Sequence, residues 1–327
     1  MIQKTTYADG ILEAYEYLLT NHKDFFIIGQ GLWSPWYVGS TMKDLDKKFG
    51  KERVIDCPVS ELATTGATVG AAICGYRPMI VHPRVDFMLL AVDQIVTQAA
   101  KWRHMFGGNS SSPATFRAII NRAGEQGAQH SQSLHSWFAH IPGLKVVMPY
   151  TAKDARDLMI ASVLSDDPVM FIDDRWLYEK EEDYTPVELI DLNNVKPQKL
   201  FSGSDVTIVG VSYTSLLCEN AAKKLAGNGI SSDVFDIRVL NPLNVDDIVD
   251  SVSKTGRLLV VDGDWRTCGM AGEVIAKVIE KVDIKVLKKS PVRITLPDAP
   301  APTSKVLEDT YYITEANITD EVFKLLK

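Results

Sequence analysis

Several features are scarce in this chain of 327 residues, and each shortage removes a class of protein. Positive charge is not in excess: 35 Lys and Arg stand against 42 Asp and Glu, net −7. With no basic block either, nucleic acid is not expected as a partner. The four cysteines, Cys57, Cys74, Cys218 and Cys268, lie far apart and form no CxxC, so neither a zinc ribbon nor a disulfide framework is indicated. No run approaches the ~20 apolar residues of a membrane helix, and the opening MIQKTTYADG lacks the apolar core of a secretory signal. These two points argue for the cytoplasm and against a membrane partner. The chain has no GxxxxGK[ST], no GxSxG and no Ser/His/Asp order, so P-loop and serine-hydrolase readings gain no support. It also lacks short repeats and low-complexity tracts.

What is present is a long βα alternation. The length predicts two domains, each with its own core. In the first, a helical period over 6–22 leads into the apolar strand FFIIGQG at 25–31. A polar helix near 41–49, the strand RVIDC, the Ser60 helix and the strand PMIVHP follow. A long helix from Asp86 to Met105, strand TFRAII, a loop to Gln132, a helix at 134–139, strand KVVMP, helix 151–165 and strand VMFID complete the series. This order implies a parallel sheet covered on both faces. Residues 176–204 lose the periodicity and read as a linker between domain 1–175 and domain 205–327. The second domain repeats the alternation with strands VTIVGV, SDVFDIRVL, RLLVVDGD and VRITLP between helices, and a final helix at 319–326.

The stretch Ser60–Phe87 carries the sharpest signal. Ser60 suits a helix N-cap, Gly75 a helix stop, and Glu61 falls in the first turn. One face presents Ala63, Gly66, Ala67, Gly70, Ala71 and Cys74 at spacings of three and four, so another helix or a ligand can approach the backbone closely. Glycine costs a helix interior about 1 kcal/mol against alanine, so two of them four apart suggest such an approach. The alternative is ordinary helix–sheet packing with Glu61 solvated near the helix dipole.

Ligands of open parallel sheets gather at the carboxyl ends of strands, where this chain places Gln30, Glu61, Pro83–Phe87 and Gln129–Gln132. Gly29-Gln30-Gly31 begins like a dinucleotide fingerprint, but Ser34 stands where its third glycine would be. Three of six histidines, His130, His135 and His140, fall in one short stretch. Their five-residue spacing does not put them on one helix face, which argues against an HExxH-type zinc pair. His130, after a glycine-rich loop and between Gln129 and Gln132, suits a donor or proton carrier, or a histidine satisfied within the loop.

Three long motifs, Glu61 with GATVGAAICGYRP, Asp86-Phe87 with AVDQIVTQAAKWRHMFGG, and GAQHSQSLHSWFAHIPGLKVVMP, together resemble the beta chain of thiamine diphosphate-dependent 2-oxo acid dehydrogenases. The resemblance covers nearly the whole chain, including RITLPDAPAPTSKVLEDTYY. It implies an α/β fold with a pyrimidine-binding thiamine diphosphate domain followed by a transketolase C-terminal-like domain. It also implies that Glu61 bonds the aminopyrimidine ring and exchanges a proton with it. Phe87 would stack on that ring, with Gln30 and Pro83 beside the cofactor, and His130 would reach substrate or acyl acceptor. A structural potassium in the family would fall on carbonyls near Ser162, Ser165 and Asp167.

The family's magnesium motif, GDG followed about thirty residues later by Asn-Asn, has no counterpart here. Asp262-Gly263-Asp264 lacks the follow-up, and Asn193-Asn194 precedes it. The resemblance therefore implies a separate alpha chain that holds magnesium and the diphosphate across the small-residue face. The assembly would be a two-alpha, two-beta heterotetramer with a lipoyl acyltransferase as a further partner. Gln30 and Gly31 replace two acids that link paired sites in the family, and Pro83 replaces a methionine. Two other functions compete: a thiamine-dependent carboligase or transketolase-like subunit with no lipoyl acceptor, and a noncatalytic assembly subunit. Intact Glu61, Phe87 and His130 argue against the last.

Overall fold

The computed structural model describes residues 3–327, which fall into two compact units. One comprises the chain up to Arg122 and Trp137–Asn194; the other comprises Ala123–Ser136 and Val195–Lys327. The segment 123–136, which chain order alone would leave in the first domain, belongs with the second unit.

In the first unit, six parallel strands run in the spatial order Val54–Asp56, Phe25–Gly29, Arg77–His82, Thr115–Ile120, Val169–Asp174, Lys145–Val147. The three strands Arg77–His82, Thr115–Ile120 and Val169–Asp174 are buried at almost every position, as strands covered on both faces must be. Register decides what gathers at the sheet's carboxyl edge. Gly29 pairs with Asp56 on one side and with Val81 on the other, so the residues that follow each strand emerge side by side.

Local chemistry sets the helices. Tyr7–Asn21 starts from a reciprocal capping box of Thr6 and Asp9 and buries Tyr7, Gly10, Ile11, Ala14, Tyr15, Leu18 and Leu19 at helical spacing. Gly10 lets this helix meet Ala152–Leu164, since a Cβ there would stand 2.4 Å from the Ala152 carbonyl oxygen. The Glu61–Ile73 helix ends as expected: Gly75, at φ +97°, and Tyr76 donate to Ala72 and Ala71 in a Schellman closure. Its start differs from expectation. Ser60 holds the cap position, but its side chain makes no capping bond, and its carbonyl instead accepts from the Thr64 hydroxyl at 2.9 Å.

Other expectations also need correction. The polar helix near 41–49 is limited to Leu45–Phe49, preceded by turns. The single helix expected over 86–105 is a helical run of changing pitch: Val85–Met88, a 3₁₀ turn Leu89–Ala91, a π-helical stretch Gln94–Ala99, then Ala100–Met105. Pitch changes of this kind leave no mark in hydrophobic period. The segment 176–204, read from the sequence as a linker, carries two short strands. Glu181–Asp183 pairs antiparallel with Lys4–Thr6, and Gln198–Phe201 adds an antiparallel edge strand beside Ser232–Asp236.

The second unit's sheet runs Val292–Leu296, Leu258–Trp265, Val206–Gly210, Ser232–Asp236, Gln198–Phe201, with the first four strands parallel. Its core joins Val206, Ile208, Val234, Leu259 and Val261 to Leu217, Ala221 and Leu225 of helix Tyr213–Ala226 and to Ile318, Val322 and Leu325 of helix Glu315–Leu326. The strand expected over 232–240 is split, with Val239–Asn241 separate, and the helix Lys305–Tyr311 was not expected. None of the described helices is long and apolar enough to cross a membrane.

Candidate functional site

At the carboxyl edge of the first unit's sheet, Gln30 leaves its strand one residue after Gly29, and its amide Nε2 donates to Glu61 Oε1 at 3.0 Å. Glu61 is only 6 % exposed and sits in the first turn of its helix, where the dipole favours a carboxylate. The turn carrying Gln30 is itself held, because Gly31 donates its N–H to Asp56 Oδ1 at 2.7 Å. One carboxylate oxygen of Glu61 is thus fixed, and Oε2 remains for another partner.

Behind Glu61, His82 ends the central strand. It is 2 % exposed, with Nε2 3.4 Å from the hydroxyl of Thr65 on the Glu61 helix. Burial pulls its pKa down to about 4, against an opposing pull from the Glu61 charge. His82 is therefore neutral at physiological pH. Pro83 follows, half-buried, and Phe87 presents a ring 41 % exposed on the short turn Val85–Met88. Gln30, Glu61, Pro83 and Phe87 all belong to the first unit, and His130 belongs to the second. There His130 is half-buried, and its backbone N–H donates to Gly127 at 3.3 Å.

The residues expected for potassium lie where Ala152–Leu164 ends. Arg77 donates to the carbonyls of Val163 at 3.2 Å and Ser165 at 2.9 Å. Asp167 pairs with Arg103 at 2.5 Å and with Lys145 at 3.3 Å, and the Ser162 hydroxyl turns back to Leu158. Each carbonyl keeps a second lone pair.

Two buried clusters escaped the sequence reading. In the first unit, Arg117, fully buried, bonds Asp173 through two nitrogens at 2.9 and 2.8 Å and also reaches Tyr15, Thr41 and Tyr178. In the second, His135 Nε2 lies 2.9 Å from Asp262 Oδ1 and 3.9 Å from Asp264 Oδ2. Burial works against the charged form of Asp262, but the His135 charge and hydrogen bonds outweigh it and hold the carboxyl below its usual range. Burial pushes the Asp264 carboxyl up. Hydrophobic period cannot reveal either cluster, since both pair residues more than fifty positions apart.

This geometry, an acid in the first turn of a small-residue helix at the edge of a parallel sheet, with a second α/β unit following, has a clear parallel among known domains. Residues 3–180 match the transketolase pyrimidine-binding domain, and residues 186–318 match the transketolase C-terminal domain. A solved structure titled split gene transketolase, inactive beta4 tetramer, superposes with TM-score 0.78 over 98 % of this chain and 97 % of that one. At 19 % identity it supports the fold alone. The class is thus a transketolase-type α/β protein.

Curated relatives narrow it. The beta subunit of acetoin:2,6-dichlorophenolindophenol oxidoreductase from Cupriavidus necator is 38 % identical over 87 % of this chain and 83 % of that protein. The mitochondrial beta subunit of the pyruvate dehydrogenase E1 component from Bos taurus is 31 % identical over 99 % of this chain and 90 % of that protein. The chain belongs to this family of dehydrogenase beta subunits, as its motifs led one to expect.

Proposed function

We propose that the chain is the beta half of a thiamine diphosphate-dependent 2-oxo acid decarboxylating dehydrogenase, catalytic only when a separate alpha chain completes the cofactor site. The observation that carries this reading is Glu61, buried, held through one oxygen by Gln30 at 3.0 Å and with the other oxygen available. The residues suit the cofactor: a positioned acid for a ring nitrogen and an exposed aromatic face at Phe87 for the ring itself. When bound, thiamine diphosphate supplies the nucleophilic carbon and the electron sink that decarboxylation needs.

Glu61 holds and returns the proton at the pyrimidine nitrogen. Gln30 orients it, and because a primary amide donates without taking up a proton, Gln30 fixes the carboxylate without sharing its charge. Phe87 excludes water from one side of the ring site and Pro83 bounds its edge. His130 carries a proton toward substrate or acyl acceptor. Magnesium and the diphosphate fall to the alpha chain. A potassium ion at the 162–167 loop would use second lone pairs of carbonyls that Arg77 already engages.

The partner surface suits the same reading. Ala63, Ala67 and Gly70 are exposed along the Glu61 helix, and a Cβ at Gly70 would meet nothing within 4 Å. Leu62 and Leu90 beside them are 55 % and 66 % exposed. A helix of an alpha chain seated there, repeated by symmetry, gives the two-alpha, two-beta assembly. A lipoyl acyltransferase would then accept the acyl group.

The test is copurification with the gene-neighbour alpha chain and assay of carbon dioxide release from a panel of 2-oxo acids, with and without lipoyl domain. Glu61→Gln should leave assembly intact and lower turnover by roughly 10²- to 10⁴-fold. Unchanged turnover in the assembled variant refutes the role of Glu61. Product formed equally without lipoyl domain moves the chain to the carboligase reading.

A further inference from the structure

We propose that His135, Asp262 and Asp264 form a divalent-cation site in the second unit, separate from the magnesium expected on an alpha chain. His135 opens the short helix His135–Ala139, and the two aspartates lie in the DGD stretch of strand Leu258–Trp265. The ligand-bearing atoms of all three lie within 4.8 Å of one another. All three side chains are more than nine-tenths buried, at 1 %, 0 % and 5 % exposure.

The carboxylates are arranged as ligands are. Asp262 Oδ2 accepts the N–H of Ala271 at 3.1 Å, and Asp264 Oδ1 accepts the N–H of Trp265 at 2.7 Å. The other oxygens, Oδ1 of Asp262 and Oδ2 of Asp264, lie toward His135 Nε2, and Asp262 Oδ1 also accepts the N–H of Asp264 at 3.3 Å. Hydrogen bonds to the far oxygen are what orient metal-bound carboxylates. The separations of 2.9 and 3.9 Å from Nε2 bracket the roughly 3.3 Å between neighbouring ligands of a tetrahedral zinc with bonds near 2.0 Å.

Charge supplies the second argument. Two buried carboxylates face one imidazole, so with both carboxylates ionised even a protonated ring leaves the three-residue cluster negative. A divalent ion removes that imbalance. One imidazole and two carboxylates are a donor set for zinc, manganese or iron(II), rather than for calcium, which takes six to eight oxygens.

The full chain, stripped with chelator, would be titrated with Zn²⁺ by calorimetry and with Co²⁺ by visible absorption. The expected result is saturation at one equivalent per chain, with cobalt bands of a nitrogen–oxygen site and no thiolate charge-transfer band. The Asp264→Asn and His135→Gln variants, checked for native circular dichroism, should weaken binding by more than about tenfold. No saturable binding to the wild-type chain overturns the proposal. So does binding that carries the thiolate band, or that persists unchanged in both variants. The cobalt spectrum of the wild-type chain decides even where a variant fails to fold.

Discussion

His82 shows what one enclosed side chain does to the pH response of the molecule. Its pKa falls from an ordinary 6.5 to about 4 because burial penalises the imidazolium, with the Glu61 charge pulling the other way. The unfolded chain therefore takes up a proton that the folded chain refuses. The contribution is complete above pH 6.5 and is lost progressively as pH falls toward 4, reaching on the order of 3 kcal/mol. Denaturant unfolding of wild type and His82→Gln between pH 7 and 4 measures it: the wild type should lose stability more steeply than the variant across that window. The place of Glu61 in the first turn of a small-residue helix was legible from sequence. Its proposed role rests on the family resemblance, since the local pattern alone suits ordinary helix–sheet packing equally well. The bond of Glu61 to Gln30 was not legible, since 31 positions separate them and only the pairing of Gly29 with both Asp56 and Val81 brings the two strand ends together. His82 carried no local sign at all, since enclosure is a property of what folds over a residue.

Among elements, the regular alternation was readable because each strand and helix declares its own period. Interruptions were less so: the 3₁₀ and π-helical turns within 89–99 keep a helical period while changing pitch, and the short edge strands of 181–183 and 198–201 are paired only by their neighbours. The adjacent strands Thr115–Ile120 and Val169–Asp174 are tied by the Arg117–Asp173 network as well as by their ladder. Arg117→Ala should cost about 3–5 kcal/mol in chemical denaturation, because it leaves Asp173 charged and fully buried. The double change Arg117→Met with Asp173→Leu should recover much of that loss. A double variant as unstable as the single would show that packing volume, not stranded charge, is the cause.

For the molecule as a whole, the proposed function divides the catalytic acid and the diphosphate ligands between two polypeptides. The isolated chain is expected to show no magnesium-dependent binding of thiamine diphosphate by calorimetry, and binding should emerge when the alpha chain is added. Tight binding to the chain alone would remove the argument for a divided site. Family membership was legible in long motifs; the substrate was not, because on the proposed function its pocket walls would come partly from another polypeptide, which leaves no trace in this one.

The backbone passes between its two units three times, at 122/123, 136/137 and 194/195. The excursion 123–136 is fastened to the second unit at both ends, by Tyr312 and Glu308 near its start and by Asp262 at its finish. No single scission can therefore yield either half intact. A fragment beginning at Val195 would carry Asp262 and Asp264 without the imidazole that faces them, so recombination of such halves between relatives must exchange this loop together with the carboxyl-terminal portion.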